Sequence, residues 1–201
     1  MAFLTNTAFE ARITNNSREN LSHIAGLYQE SGANADCSAG LLCTRTSLAP
    51  NEGFDNPAGT RVYNENTWIM GAAASTANAD TVVYACDTYD VQLLSGKREG
   101  LDYAVGTETL GLGVPAGRYG NFTRIDFDNQ SVYRFGVGNL SEAAGSNTFF
   151  TIANGLLVPA AAAPTDAGSI YFELRGTGSF VEGNTQSFGY VDVVACKITA
   201  A

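Results

Sequence analysis

The sequence has little charge, and its positive charges are scattered. Only 15% of its 201 residues are Asp, Glu, Lys or Arg, against about 25% in an average globular protein. The 20 acidic residues outnumber the 11 basic ones, which gives a net charge of −9, and Lys97-Arg98 is the only adjacent basic pair. Nucleic-acid binding needs clustered cations that neutralise phosphates, and an anionic membrane surface repels an acidic chain. We therefore expect neither nucleic acid nor membrane among the partners.

Histidine is nearly absent, and the common catalytic motifs are missing. His23 is the only histidine, and the chain has no GxSxG or HExxH motif. Two pairs of acids, Asp126 with Asp128 and Asp87 with Asp90, are close enough in sequence for a hydrolase that uses paired carboxylates. Aspartates beside strands are more typical of turns. The sequence therefore predicts no catalytic residue, no cofactor and no metal ligand, with a paired-acid hydrolase as an alternative.

The four cysteines do not form a zinc or redox motif. Cys37, Cys43, Cys86 and Cys196 include no CxxC pair, and zinc sites need short ligand pairs with further Cys or His nearby. Cys86 and Cys196 follow runs of small apolar residues and resemble core residues of strands. We expect four reduced thiols, because redox compartment governs disulfide formation more than spacing does. A Cys37–Cys43 disulfide is the alternative.

Long hydrophobic runs are absent as well. No stretch approaches the roughly 20 apolar residues of a transmembrane helix, and the run Ala160–Ala163 lies between two prolines. The first six residues have neither the charged nor the apolar region of a secretory signal. These features predict synthesis in the cytoplasm without a targeting segment.

Short strands separated by turn residues dominate the pattern. Apolar runs of four to six residues alternate with Gly, Pro, Asn and Asp, which is typical of an all-β protein. Asn154-Gly155 lies between two apolar runs and is a strong hairpin signal. Phe122–Phe127 and Ser131–Phe135 each alternate, with Asp128–Gln130 between them, which predicts a second hairpin. We expect an antiparallel β-sandwich or barrel of about ten to twelve short strands.

The N-terminal part predicts an arm and one short helix. Ser17 is a plausible N-cap, and Leu21, Ile24, Ala25 and Tyr28 follow at helical spacing. Residues 1–16 are expected to form an extended arm, and residues 17–201 a single β-rich domain. Within the arm, alternate positions form one face of a potential strand that could add to the edge of another protein's sheet. These positions are Thr5, Thr7, Phe9, Ala11 and Ile13.

Aromatic residues make up 10% of the chain. Tyr63, Trp68 and Tyr119 are the candidates for subunit-interface anchors, because large aromatic side chains dominate such interfaces. The same three residues could form a platform for stacking sugars. The weakly charged surface favours the interface and predicts a homo-oligomer.

Several segments of the sequence resemble one family of proteins. They are Leu110–Arg118, Asn154–Pro164, Ile170–Gly176 and Gly189–Cys196. Together they are similar to the decoration, or cement, proteins that tailed bacteriophages encode near the major capsid gene. The likeness is strongest over residues 100–201. It implies a β-rich protein, often trimeric, that binds the outer head surface in many copies.

The resemblance also implies a mechanism. A protein that binds across neighbouring major capsid subunits only in the expanded shell stabilises that shell by mass action, and many weak contacts act together. The chain would then lie on the capsid exterior of the virion after assembly in the host cytoplasm. Thr5, Thr7, Phe9, Ala11 and Ile13 are the candidate capsid contacts. The alternative is a carbohydrate-binding or adhesin module on the virion, with Trp68 or the tyrosines exposed in a groove.

Overall fold

The structure is a computed structural model that describes residues 4–13, 23–51, 62–87, 113–182 and 186–199. Within these ranges the chain forms twelve strands and one short 3-10 turn at Val137–Asn139. The strands in chain order are β1 (Phe9–Ile13), β2 (His23–Glu30), β3 (Ala33–Asn34), β4 (Leu42–Asn51), β5 (Val62–Ala72), β6 (Val83–Cys86), β7 (Tyr119–Arg124), β8 (Val132–Gly136), β9 (Phe149–Ala153), β10 (Leu156–Ala160), β11 (Ile170–Glu182) and β12 (Gln186–Lys197). The predicted all-β fold with about twelve strands is confirmed.

The strands form an open sheet and a small barrel. The open sheet has the order β1-β8-β12-β11-β9-β10, and every pairing in it is antiparallel. The second sheet has the order β3-β2-β5-β4-β6-β7 and closes because β2 also pairs with β7. One pairing departs from the antiparallel expectation: β2 and β5 run parallel.

Two apolar clusters result from this arrangement. One lies between the open sheet and the barrel and includes Phe135, Phe150 and Phe172 of the sheet with Leu42 of the barrel. The other fills the barrel interior, where Met70 and Phe122 are fully buried. Successive residues of a strand point to opposite faces. Barrel strands such as β6 are therefore buried on both sides, and all four residues of β6 are buried.

The helix predicted after Ser17 is wrong where the structure describes it. Residues 23–30 form strand β2, and residues 17–22 lie outside the described ranges. Ile24 and Tyr28 face the barrel interior, while Leu27, on the other side of β2, is also buried. Burial on both faces hides the alternation that marks a strand, and the remaining apolar positions match helical spacing by coincidence.

The hairpin at Asn154-Gly155 is confirmed, and the second predicted hairpin is wrong. Asn154 and Gly155 have φ values of 50° and 76°, and Leu156 pairs with Ala153 across the turn. The chain also turns at Asp128–Gln130, but β7 before the turn belongs to the barrel and β8 after it to the open sheet. This turn is a corner between sheets. Local alternation predicted both strands but did not show which partner each takes.

Candidate interaction surfaces

The N-terminal segment is built into the fold as far as the structure describes it. Strand β1 pairs with β8 at one edge of the open sheet. Of the five candidate capsid contacts, Thr7 and Phe9 are buried in the chain's own core, Ala11 is half-buried, and Thr5 is exposed. The side chain of Ile13 lies outside the described part. Thr7 and Phe9 are therefore unavailable to another protein while β1 stays in its sheet.

Backbone and side-chain hydrogen bonds join the N-terminal segment to two other segments of the chain. We call this contact region the seam; it consists of residues 4–8, 38–40 and 136–139. The Leu4 N–H donates to Ser38 Oγ at 2.8 Å, and the Gly138 N–H donates to the Asn6 carbonyl at 2.9 Å. Asn139 is buried between the other two segments. Its Oδ1 accepts the Ala8 N–H at 3.1 Å, and its Nδ2 donates to the Ala39 carbonyl at 2.7 Å. The seam joins the N-terminus, the barrel and the open sheet.

Trp68 and Tyr119 lie on opposite faces of the barrel wall. Trp68 is opposite Gly26 in the β2–β5 pairing, whereas Tyr119 is opposite Leu27 in the β2–β7 pairing. Trp68 packs against the barrel interior, and Tyr119 is 43% exposed on the outside. These two residues therefore do not form a shared aromatic platform for a sugar. The side chain of Tyr63 lies outside the described part.

Arg45 stacks on the aromatic residues of the barrel. It projects from β4 opposite Met70, and its Cζ lies 4.6 Å from the centre of the Trp68 ring and 5.8 Å from that of Tyr84. Both distances are within the range of cation–π attraction. The side chain is exposed, and no described carboxylate forms an ion pair with it. Arg45 could not be recognised from the sequence, because it is the pairing of β4 with β5 and β6 that brings the three side chains together.

Asp126 and Asp128 line one shallow cavity of about 540 Å³, together with Arg124 and Lys197. Asp126 forms an ion pair with Arg124 at 3.2 Å. Asp128 Oδ1 accepts the N–H groups of Gln130 and Ser131 at 2.9 and 2.7 Å. Partial burial raises the pKa of Asp128, but these hydrogen bonds outweigh it, and the net pKa lies below its ordinary value.

A lowered pKa does not suit Asp128 to the role of general acid in a hydrolase, which needs a raised pKa. Asp128 instead shapes the corner between the two sheets. In the second pair, Asp87 Oδ2 accepts a hydrogen bond from the Thr123 hydroxyl at 3.2 Å. Asp90 lies outside the described residues.

Three of the four cysteines cluster inside the barrel. The Sγ atoms of Cys37 and Cys43 are 4.0 Å apart, and Cys86 donates to the Cys37 carbonyl at 3.6 Å. Cys37, Cys43, Cys86 and Cys196 are all free and buried. Burial raises the pKa of the Cys37, Cys86 and Cys196 thiols. Because the thiolate is the reactive form, these thiols are poor nucleophiles in the folded protein.

We expect a thiol reagent to distinguish the two predicted cysteine states. In Ellman's assay at pH 8, the native chain should react slowly, and the urea-unfolded chain should react at once with four thiols per molecule. The physical reason is burial, which excludes the reagent and disfavours the thiolate. A count of two thiols after unfolding without reductant would instead show that Cys37 and Cys43 are joined.

The hairpin of β11 and β12 extends beyond the rest of the open sheet. The two strands pair from Ile170↔Lys197 to Glu182↔Gln186. Strand β9 pairs with β11 only at Phe172 and Glu173, and β8 pairs with β12 only from Tyr190 onward. Over residues 179–182 and 186–189, a length of roughly 13 Å at 3.3 Å per residue, no other described strand pairs with either edge of this ribbon. Gly176 and Gly178 lie in the middle of the long strand β11.

A stack of side chains fixes the base of the ribbon. Arg134 binds Asp192 through two hydrogen bonds of 2.8 and 2.9 Å, and its Cζ lies 3.6 Å from the centre of the Tyr190 ring. The hydrogen bond to Asp192 raises the pKa of Arg134. The Tyr190 ring in turn covers Gly178, where a Cβ atom would lie 2.5 Å from Tyr190 Cζ. The ribbon therefore leaves the sheet in a fixed direction.

Comparisons of the chain with protein-family models, with curated proteins and with solved structures find no match. Among the described residues, no group of three or more His, Cys, Asp or Glu side chains is arranged to hold a metal ion. None of the helical segments in the described ranges is long and apolar enough to span a membrane. The function is therefore inferred from the resemblance and from the surfaces described above.

Proposed function

We propose that this chain is a head decoration protein of a tailed bacteriophage, which binds the major capsid protein on the outer shell in many copies and stabilises the expanded head. In this proposal the chain acts by binding alone and makes or breaks no covalent bond. The observation that carries the proposal is the β11–β12 ribbon, whose outer part, residues 179–182 with residues 186–189, pairs with no other described strand on either edge.

The ribbon has the properties of a clamp between subunits. An isolated two-stranded ribbon has marginal stability in water, and an open strand edge pairs readily with another chain. Thr177 and Ser179 are exposed, and Arg134 and Tyr190 set the direction at the base. A neighbouring subunit that pairs with an edge of the ribbon would supply the missing backbone partners. This surface replaces the N-terminal arm as the preferred capsid contact, because Thr7 and Phe9 are buried.

Three of the sequence segments that resemble decoration proteins lie together in the open sheet. Asn154–Pro164 contains β10, Ile170–Gly176 begins β11, and Gly189–Cys196 lies within β12. These strands, with β9, are neighbours in the sheet, so the resemblance covers the element from which the ribbon projects. The acidic charge also suits a protein that does not compete for packaged DNA.

The proposal is tested in virions of the phage or prophage that encodes the chain. We expect quantitative mass spectrometry of purified particles to find the chain at a fixed stoichiometry to the major capsid protein. The double variant Thr177→Lys, Ser179→Lys should reduce the copy number at least tenfold, because lysines on a strand edge oppose pairing. Virions that lack the unmodified chain would contradict the proposal.

A matched control separates a ribbon effect from an effect of added charge. Ser146 and Thr165 are exposed residues outside the ribbon, and Ser146→Lys with Thr165→Lys adds the same charge. This control should keep the copy number of the unmodified chain. Equal losses in both double variants would show that the ribbon is not the capsid contact.

A further inference from the structure

The guanidinium of Arg45 lies on aromatic rings and has no carboxylate partner among the described residues. Of the other arginines in the described part, Arg12, Arg124, Arg134 and Arg175 each lie within 4.0 Å of an acidic side chain, and Arg118 does not. Arg45 lies over Trp68 and near Tyr84 instead. Stacking on rings orders the planar group without using its N–H donors. The Arg45 guanidinium is therefore preorganised to bind a planar anion such as a carboxylate.

The neighbours of Arg45 match the composition of an interface hot spot. Arginine, tryptophan and tyrosine are the residues most enriched where binding energy concentrates. Tyr84 is almost fully buried, and Trp68 is half-buried against the barrel interior, so the two rings form a fixed base. The partly exposed Trp68 and the exposed Arg45 are the parts that a partner would cover.

The chain itself has an excess of carboxylates, the groups that complement the Arg45 guanidinium. It has 20 acidic residues against 11 basic ones. Several carboxylates are exposed with no described cation within ion-pair distance, namely Glu30, Asp80, Glu142 and Asp166. A second copy thus presents acids that Arg45 can bind. Such a contact joins two different surfaces, and contacts of that kind close into rings such as trimers.

We propose that Arg45, Trp68 and Tyr84 form a binding site for a carboxylate of a second copy of this chain. The Arg45 guanidinium donates to the carboxylate, and the Trp68 ring keeps the guanidinium in place and is covered by the second copy. This site is independent of the β11–β12 ribbon and of any capsid, and its test needs only the purified chain.

The test is self-association measured by sedimentation velocity over a series of protein concentrations. The unmodified chain should associate, and Arg45→Ala should raise the dissociation constant at least about 30-fold, as expected for a hot-spot residue. Arg45→Lys keeps the charge but loses the planar donors, so its dissociation constant should lie between the two. Trp68 is the only tryptophan, and its fluorescence should change over the same concentration range.

Arg118→Ala is the matched control. Arg118 is exposed, and in the described ranges it has neither a carboxylate partner nor a ring beneath it. This variant should associate like the unmodified chain. A monomeric unmodified chain, or equal association of Arg45→Ala and Arg118→Ala, would overturn the proposal.

Charge reversal identifies the source of the carboxylate. Arg45→Glu should abolish association, and adding a Lys substitution at one of Glu30, Asp80, Glu142 or Asp166 should restore it. Restoration by one of these four supports a direct contact between copies. Failure of all four to restore association would overturn the assignment of the carboxylate to a second copy.

Discussion

Gly113→Ala is expected to destabilise the protein by about 3–5 kcal/mol, because two costs add at this position. Gly113 has a φ of +71°, which for a residue with a Cβ atom costs about 1–2 kcal/mol. The added Cβ would also overlap the Cys37 carbonyl oxygen and lie 2.5 Å from the Ala39 nitrogen. These are backbone atoms, so no side-chain rotation relieves the contact.

The backbone contact at Gly113 matters because it lies beside the bridge between Cys37 and Val114. Cys37 and Val114 exchange two hydrogen bonds, with N–O distances of 2.8 and 2.7 Å, and both side chains are fully buried. Moving the two segments apart to accept a Cβ would break this bridge and expose the thiol cluster. We therefore expect faster reaction of Cys37 with Ellman's reagent in the variant, in addition to the lower stability.

Gly117→Ala separates the two costs. Gly117 has a φ of +73°, close to that of Gly113, but the nearest atom to its added Cβ is Asn34 Nδ2 at 3.6 Å. This variant should lose only the backbone term of about 1–2 kcal/mol. Urea unfolding measures the free energy of unfolding of both variants. Equal losses of stability would show that the close contact of Gly113 with the backbone of Cys37 and Ala39 is unimportant.

The strand pattern predicted the fold class well, because alternation and turn residues act locally. The hairpin of β9 and β10 follows from Asn154-Gly155, whose φ values fit the tight turn that joins such strands. The helix predicted over Leu21–Tyr28 shows the limit of this reasoning. Periodicity reports which positions are buried, and a barrel strand that is buried on both faces has no exposed face from which to recognise its period.

The surfaces could not be predicted in the same way, because they depend on which strands pair. Trp68 and Tyr119 were both recognised as large aromatic residues, but their opposite faces follow from the position of β2 between β5 and β7. Arg45 is 23 residues from Trp68 in sequence, and their contact depends on the β4–β5 pairing and its two register shifts. Composition identifies candidate residues, whereas non-local pairing decides which of them meet.

Asn139→Ala is expected to lower the free energy of unfolding by about 2–4 kcal/mol, because it leaves two buried backbone groups without partners at about 1–3 kcal/mol each. The Ala8 N–H loses its acceptor, and the Ala39 carbonyl loses its donor. Asn121→Ala is the matched control, since Asn121 is an exposed asparagine of strand β7, and it should change the free energy by less than about 0.5 kcal/mol. Equal urea midpoints for the two variants would show that the seam does not depend on Asn139.

Asn139→Asp tests the same hydrogen bonds through pH. A neutral carboxyl group at position 139 can accept from Ala8 and donate to Ala39, whereas an ionised one cannot donate and is costly to bury. Its pKa in the folded protein should therefore lie above the value of about 3.9 in the unfolded chain. The stability of this variant relative to the unmodified chain should be highest below that unfolded value and should fall as the pH rises through the folded pKa. A difference in stability between the two proteins that does not change with pH would show that the group at position 139 is solvated, and that the seam opens to water.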